Sequence, residues 1–215
     1  TASIKFINDN ERSRITSAYD TGGGGRLTFH TDTAGGSLIE RMRIDNDGKV
    51  LIGATTSSLP SSGTPGLEVA GSGFAGMAAI TRFDNNAYGP SLFLVKSRAA
   101  NASSHTIVAD DDNLGAINWT PDDGTNRDTY AASIAAKVDG TPGANDMPAR
   151  LEFMTTSDGA ASPTTRMTIR ADGRTGIGGN HTPAHSIHVK GPVSSTGGVI
   201  AAFDATDSTN AWLQL

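Results

Sequence analysis

Three histidines fall within eight residues at His181, His185 and His188, close enough in sequence to suggest a metal such as zinc. Strand alternation works against that reading. With Ile187 and Val189 turned inward, His188 points outward beside Ser186 and Lys190, and Pro183 leaves His181 in a loop. Acidic runs at Asp110-Asp111-Asp112-Asn113, Asp45-Asn46-Asp47-Gly48 and Asp122-Asp123-Gly124 carry oxygen donors for calcium, but none is closed by the glutamate of a full calcium loop. Asp, Asn and Gly are equally the residues of tight turns. Glycoside cleavage needs two carboxyls about 5 to 9 Å apart, and the glutamates are Glu11, Glu40, Glu68 and Glu152. Glu40 and Glu152 both read as exposed strand positions, and nothing local selects a pair among the 18 aspartates. No serine occupies a Gly-x-Ser-x-Gly elbow. Gly71-Ser72-Gly73-Phe74-Ala75-Gly76 has the spelling of a dinucleotide loop, yet no amphipathic helix follows it, so it reads as a flexible connection. Tyr19, Tyr88, Trp119, Tyr130 and Trp212 have faces that stack on sugars, but filling a core or a seam between chains is the simpler use for them. The sequence therefore assigns no catalytic, metal or cofactor residue, and the chain reads as a non-enzyme without a cofactor.

The elements around these residues are short strands, because apolar and polar side chains alternate instead of recurring at helical spacing. Leu27 with Phe29, Met42 with Ile44, Val50 with Ile52, Leu67 with Val69, and Leu92 with Leu94 each share a face. Asp47-Gly48 and Asp172-Gly173 sit between alternating runs and predict two-residue type I′ hairpins. Pro121-Asp122-Asp123-Gly124 predicts a turn between strands near Ala116–Trp119 and Tyr130–Val138.

These strands repeat. Arg41-Met42-Arg43-Ile44 through Asp47-Gly48 to Ile52-Gly53 matches Arg166-Met167-Thr168-Ile169 through Asp172-Gly173 to Ile177-Gly178 without a gap, 125 residues later. Arg26–Phe29 pairs with Arg150–Phe153, Ile15–Asp20 with Ile134–Asp139, Leu67–Gly71 with Ile187–Gly191, and Phe83-Asp84 with Phe203-Asp204. Thr175-Gly176 stands where the first copy has Val50-Leu51, which thins the apolar face of the second hairpin. The expected division is a first β unit over 1–94, a connection over 95–115, and a second unit over 116–215 that is truncated at its C-terminal end.

The unit Arg-Met-x-Ile-x-x-Asp-Gly, three residues, then Ile-Gly, followed by a Ser/Thr/Pro-rich loop and a short strand ending in Gly, resembles the recurrent unit of tailed-bacteriophage tail fibre and tailspike proteins. Gly115–Trp119, Val138–Pro148 and Arg150–Thr156 resemble the segments that precede that hairpin in the same proteins. The resemblance implies an intertwined homotrimer on the virion, partnered by other tail or baseplate proteins and by a host-surface glycan or protein receptor. A self-cleaving chaperone domain follows in many such proteins; none is visible in this sequence, so that activity does not carry over.

Composition fits such a fibre. Leu, Ile, Val and Phe make up only 40 of the 215 residues, short of what a globular core needs. Net charge is −5 with 18% charged residues, too little self-repulsion for a disordered chain. Without a basic stripe no nucleic-acid partner is expected, and without an apolar run of roughly 18 residues no membrane insertion is expected. Zero cysteines exclude disulfides and thiolate sites. The expected fold is all-β, an elongated repeat of short strands and hairpins. A stripe of Met42, Ile44, Ile52 and Val69 would make a core shared with two further copies. The polar stretches Ser57–Gly66 and Gly140–Pro148 are expected surface loops and candidates for receptor contact, with no individual receptor-binding residue named. The alternatives in another class are a tailspike-like polysaccharide depolymerase and a bacterial surface adhesin.

Overall fold

A computed structural model describes residues 2–8, 10–19, 23–33, 36–59, 65–179 and 182–191. His181, Phe203-Asp204 and Trp212 lie outside the described residues, as does the side chain of Glu11. The described chain is all-β. Strands β1 (Ala2–Asn8), β2 (Asn10–Tyr19), β3 (Gly25–Asp32), β4 (Leu38–Ile44), β5 (Val50–Ile52) and β6 (Leu67–Val69) form one six-stranded sheet in sequence order. Strands β7 (Asn113–Trp119), β8 (Ala132–Val138), β9 (Ala149–Thr155), β10 (Thr164–Ile169), β11 (Thr175–Ile177) and β12 (Ile187–Val189) form a second sheet with the same order. In each sheet the first five strands meander antiparallel, and the sixth returns parallel to the fifth. The chain divides into two units, residues 1–91 with 126–128, and residues 92–125 with 129–215.

Register turns the sequence repeat into a geometric one. Across the first sheet, Ile4, Ile15, Phe29, Met42, Ile52 and Val69 stand directly opposite one another, one from each strand. Across the second, Ile117, Ile134, Phe153, Met167, Ile177 and Val189 do the same. The residue types match position by position. Each sheet thus carries an apolar row one side chain wide, with cross-strand pairs as the stabilising unit. Leu27, Ile44, Val50 and Leu67 form a second row on the same face of the first sheet, so Met42, Ile44, Ile52 and Val69 share that face as the alternation predicts.

The hairpins fall at the expected sites but with longer loops. Asp45 N–H donates to the Lys49 carbonyl at 3.0 Å and Gly48 N–H to the Asp45 carbonyl at 3.1 Å, leaving Asn46-Asp47-Gly48 as a three-residue loop. Arg170 and Arg174 close the second loop in the same way at 2.9 Å. Only Gly48 (φ +80°) and Gly173 (φ +81°) adopt positive φ, whereas a type I′ turn requires it at both central residues. The Asp45 carboxylate accepts from the Asp47 and Lys49 amides at 3.0 and 2.9 Å, which favours the three-residue form. The glycine that follows each hairpin steers the parallel return: Gly53 (φ +78°) lies against the Ala70 carbonyl and Gly178 (φ +96°) against the Lys190 carbonyl. There the amides of Ala70 and Lys190 donate to the carbonyls of Ile52 and Ile177 at 2.9 and 2.8 Å.

Leu92 and Leu94 depart from expectation. They carry strand-like alternation, but residues 77–97 join no ladder among the described residues. The stretch is exposed although it is apolar, with Phe83 at 95% and Val95 at 89% of full exposure. A run of this length with neither secondary structure nor a buried face is uncommon inside a self-sufficient domain. The Gly71–Gly76 connection contains one 3-10 turn, Gly73–Gly76.

Candidate functional site: outward apolar rows and buried polar faces

Each sheet has an apolar face and a polar face, and in the single chain it is the polar one that is covered. Along β9, Arg150 and Glu152 are buried while Leu151 between them is 42% exposed. Ile52, Ile117 and Ile177 of the rows are exposed as well, together with Leu67 and Trp119 on the same face. A soluble monomer arranges its sheets the other way, since burying charge costs free energy unless every group is paired. Glu152 is therefore no exposed strand position: it is 1% exposed and the most bulky of the fully buried side chains.

What pays for that burial is a closed network in the second unit. Arg150 donates from Nε to Glu152 Oε1 at 2.7 Å, from Nη1 to the Val138 carbonyl at 2.9 Å, and from Nη2 to Asp111 Oδ1 at 2.6 Å. Lys137 Nζ reaches Glu152 Oε2 at 2.9 Å, and Arg170 reaches Asp139 Oδ1 at 2.7 Å. Asp139 also accepts from the Ala171 amide at 2.9 Å, and Asp110 from the Gly140 amide at 2.7 Å. The network ties the start of β7, the β8–β9 turn, β9 and the end of β10 around a cleft of about 340 Å³ lined by Asp110, Asp111, Asp139, Gly140, Arg150 and Arg170. Burial alone would push the Glu152 carboxyl up, but Lys137 and Arg150 hold it below its ordinary value. The acidic run Asp110-Asp111-Asp112 thus spends its carboxylates on internal partners, with Asp112 held by Arg98 through two bonds of 2.7 Å and by the Ala109 amide at 2.9 Å.

The first unit shows the same device with different residues. Arg26 Nη1 donates to the Tyr19 carbonyl at 3.1 Å, the counterpart of Arg150 on Val138. Glu40, half-buried, takes a bidentate contact from Arg43 at 2.6 and 2.9 Å. Glu68, at the centre of β6, is buried under the crossover loop and accepts from Ser57 Oγ at 2.7 Å, the Ser58 amide at 3.1 Å and the Ser58 hydroxyl. His188 holds the same position in β12, and its Nδ1 accepts from the Ala184 amide at 3.3 Å. It lies on the face away from Ile187 and Val189, but the expected sense is reversed: His188 is half-buried on the covered polar face and Ile187 is exposed. His185 meets it edge-on at 6.2 Å between ring centroids. Among the described residues no three histidine, aspartate or glutamate side chains gather as a metal site.

Sequence reasoning found the rows and missed the pinning role of Glu68 and His188. The signal was available: both occupy the middle of a three-residue strand opposite a Ser/Thr/Pro-rich loop.

Neither a protein-family profile nor a curated protein matches the sequence. Solved structures do. The carboxy-terminal domain of the bacteriophage T5 L-shaped tail fibre superposes with a TM-score of 0.64 over 95% of this chain and 83% of that one, at 15% identity. This is the fold of a tail-fibre domain. The same T5 domain with its intramolecular chaperone domain gives a TM-score of 0.64 at 16% identity, over 97% of this chain. The chain spans 60% of that longer relative. Each of the two six-stranded sheets of short strands carries its apolar row on the uncovered face, within the tail-fibre fold.

Proposed function

We propose that this chain is a structural segment of a phage tail fibre that assembles as an intertwined homotrimer and spaces and presents host-receptor-binding surfaces during adsorption. The observation that carries the reading is the pair of matching apolar rows, outward in the single chain, in a tail-fibre fold. Three copies with those rows facing inward would supply the core that 40 large apolar residues cannot supply alone. The exposed Met77, Ile80, Phe83, Leu92, Phe93 and Val95 would be covered in the same assembly. Stability and association are then one quantity. The repeat units proposed are 1–94 and 116–215, joined by 95–115, and the segment belongs to the virion, attached to other tail or baseplate proteins. Three receptor-contacting loops in one array gain avidity from weak individual contacts, and Ser57–Gly66 and Gly140–Pro148 are the loops proposed for a host glycan or protein.

The test uses the purified chain with cells of the host of the encoding phage. Saturable binding to the cell surface, competition with phage adsorption, and no new reducing ends from surface polysaccharide are expected. Steady release of reducing ends would replace this reading by the depolymerase one, and failure to compete with adsorption would remove the presentation role.

A further inference from the structure

We propose that Arg41 and Arg166 are the polar anchors of the contact between copies, each completed by a carboxylate of a neighbouring chain; this rests on the assembly proposed above. Both arginines are the extra residue of a β-bulge. In the first sheet Phe29 pairs with Met42 and His30 with Glu40, so Arg41 is left without an opposite residue. In the second, Met154 pairs with Thr165 and Phe153 with Met167, which leaves Arg166. Bulges re-aim a side chain, and this one recurs at the same place in both units. The backbone of each bulge is fixed by the turn glycine, since the amides of Gly53 and Gly178 donate to the carbonyls of Arg41 and Arg166 at 2.9 and 2.8 Å.

The side chains are aimed alike. Arg41 Nε donates to Thr31 Oγ1 at 3.0 Å and Arg166 Nε to Thr155 Oγ1 at 3.0 Å. Thr31 stands two residues beyond Phe29, and Thr155 two beyond Phe153, so both hydroxyls lie on the face of the apolar rows. The threonine thereby holds each guanidinium at the margin of its row. Arg166 Nη2 also donates to Ser157 Oγ at 2.7 Å and to the Thr155 carbonyl at 3.5 Å. Both terminal nitrogens of Arg41, and Nη1 of Arg166, are left to meet a carboxylate.

Charge shows where the missing partner lies. Arg12, Arg43, Arg82, Arg98, Arg150, Arg170 and Arg174 each have a carboxylate within 4 Å. Arg41 and Arg166 have none among the described residues, although the chain carries 22 acidic residues against 17 basic ones. Both are exposed. Because they border the face that would close against another copy, a neighbouring chain is the partner that brings an acid to them, and each site is incomplete without it.

The test is sedimentation velocity across a salt series on the full chain, with Arg41→Gln/Arg166→Gln, Arg41→Lys/Arg166→Lys, and Lys49→Gln/Arg174→Gln at the hairpin loops as a control of equal net charge. The Gln pair is expected to raise the concentration at which the assembly dissociates by about tenfold or more and to flatten its salt dependence. The Lys pair is expected to recover part of both, and the control to leave both unchanged. Assembly and salt dependence equal to the parent in the Gln pair would overturn the proposal. So would loss of binding to an anionic surface polysaccharide with assembly intact, which would make the arginines a polyanion site instead. A parent chain that is monomeric throughout would instead refute the assembly reading itself, an outcome distinct from either.

Discussion

Replacing Gly178 by alanine separates backbone strain from steric exclusion, because Gly173 a few residues earlier offers the control. Both have positive φ, +96° and +81°. A Cβ at Gly173 meets nothing within 4 Å, so Gly173→Ala pays only for holding an L-residue in the left-handed region, about 1 kcal/mol. A Cβ at Gly178 would stand 1.7 Å from the Lys190 carbonyl oxygen and 2.8 Å from its carbon. No side chain can yield there, because the obstacle is the backbone that follows β12. Relief requires β12 to move off β11, at the expense of the Lys190–Ile177 bond of 2.8 Å and of the Ile177–Val189 contact at the end of the row. One hydrogen bond near 1 kcal/mol, partial exposure of an apolar pair at 1 to 2 kcal/mol, and the strain itself bring the cost to roughly 3 to 4 kcal/mol. Urea unfolding at one protein concentration measures both variants against the parent. Equal losses for Gly173→Ala and Gly178→Ala would refute the close-approach argument and leave only positive φ as the reason for glycine.

Gly53→Ala is expected to behave like Gly178→Ala, since its Cβ would stand 2.1 Å from the Ala70 carbonyl, and a loss no larger than that of Gly48→Ala in the same urea assay would contradict it. Removing the Glu152 carboxylate in Glu152→Ala strands Lys137 and Arg150 and is expected to cost about 3 kcal/mol in chemical denaturation, against near-neutrality for Asp47→Ala on the surface. The Glu152 and Asp112 carboxyls both sit below their ordinary values in the folded chain, so their contribution is present above the unfolded values near 4.5 and 3.8 and is lost as pH falls through the lower folded ones. Melting temperature should therefore drop on acidification below about pH 4.5, and less steeply in Glu152→Gln. Ile117→Lys and Ile177→Lys place a charge on exposed row positions, so light scattering should show weakened assembly and far-UV circular dichroism should lose the β signal over the same concentration range.

Much of this architecture was legible because a strand has a side-chain period of two and the unit occurs twice. Ile15, Phe29, Met42 and Ile52 announce their shared face through alternation and through their partners Ile134, Phe153, Met167 and Ile177. Alternation names two faces without saying which one the chain covers. That choice depends on long-range loops such as Asp110–Asp112 over Arg150 and Ser57-Ser58 over Glu68, which have no local signature. Glu152 was read as exposed for this reason. The bulges had a faint signal, because Ile39 and Met42 both occupy the row face yet lie three residues apart, a spacing a regular strand cannot satisfy. Leu92 and Leu94 show the opposite case: strand-like residues whose backbone finds no ladder within the described chain. The hairpin sites were fixed by Asp-Gly, while their loop length followed from the Asp45 carboxylate binding two amides, a contact visible only in three dimensions.

The mass of the chain in solution tests the central claim most directly, because outward apolar rows require other copies to cover them. Sedimentation equilibrium at micromolar concentration should give three times the 22.1 kDa chain, with no folded species at a single chain mass. A stable, folded monomer with cooperative unfolding independent of protein concentration would contradict it.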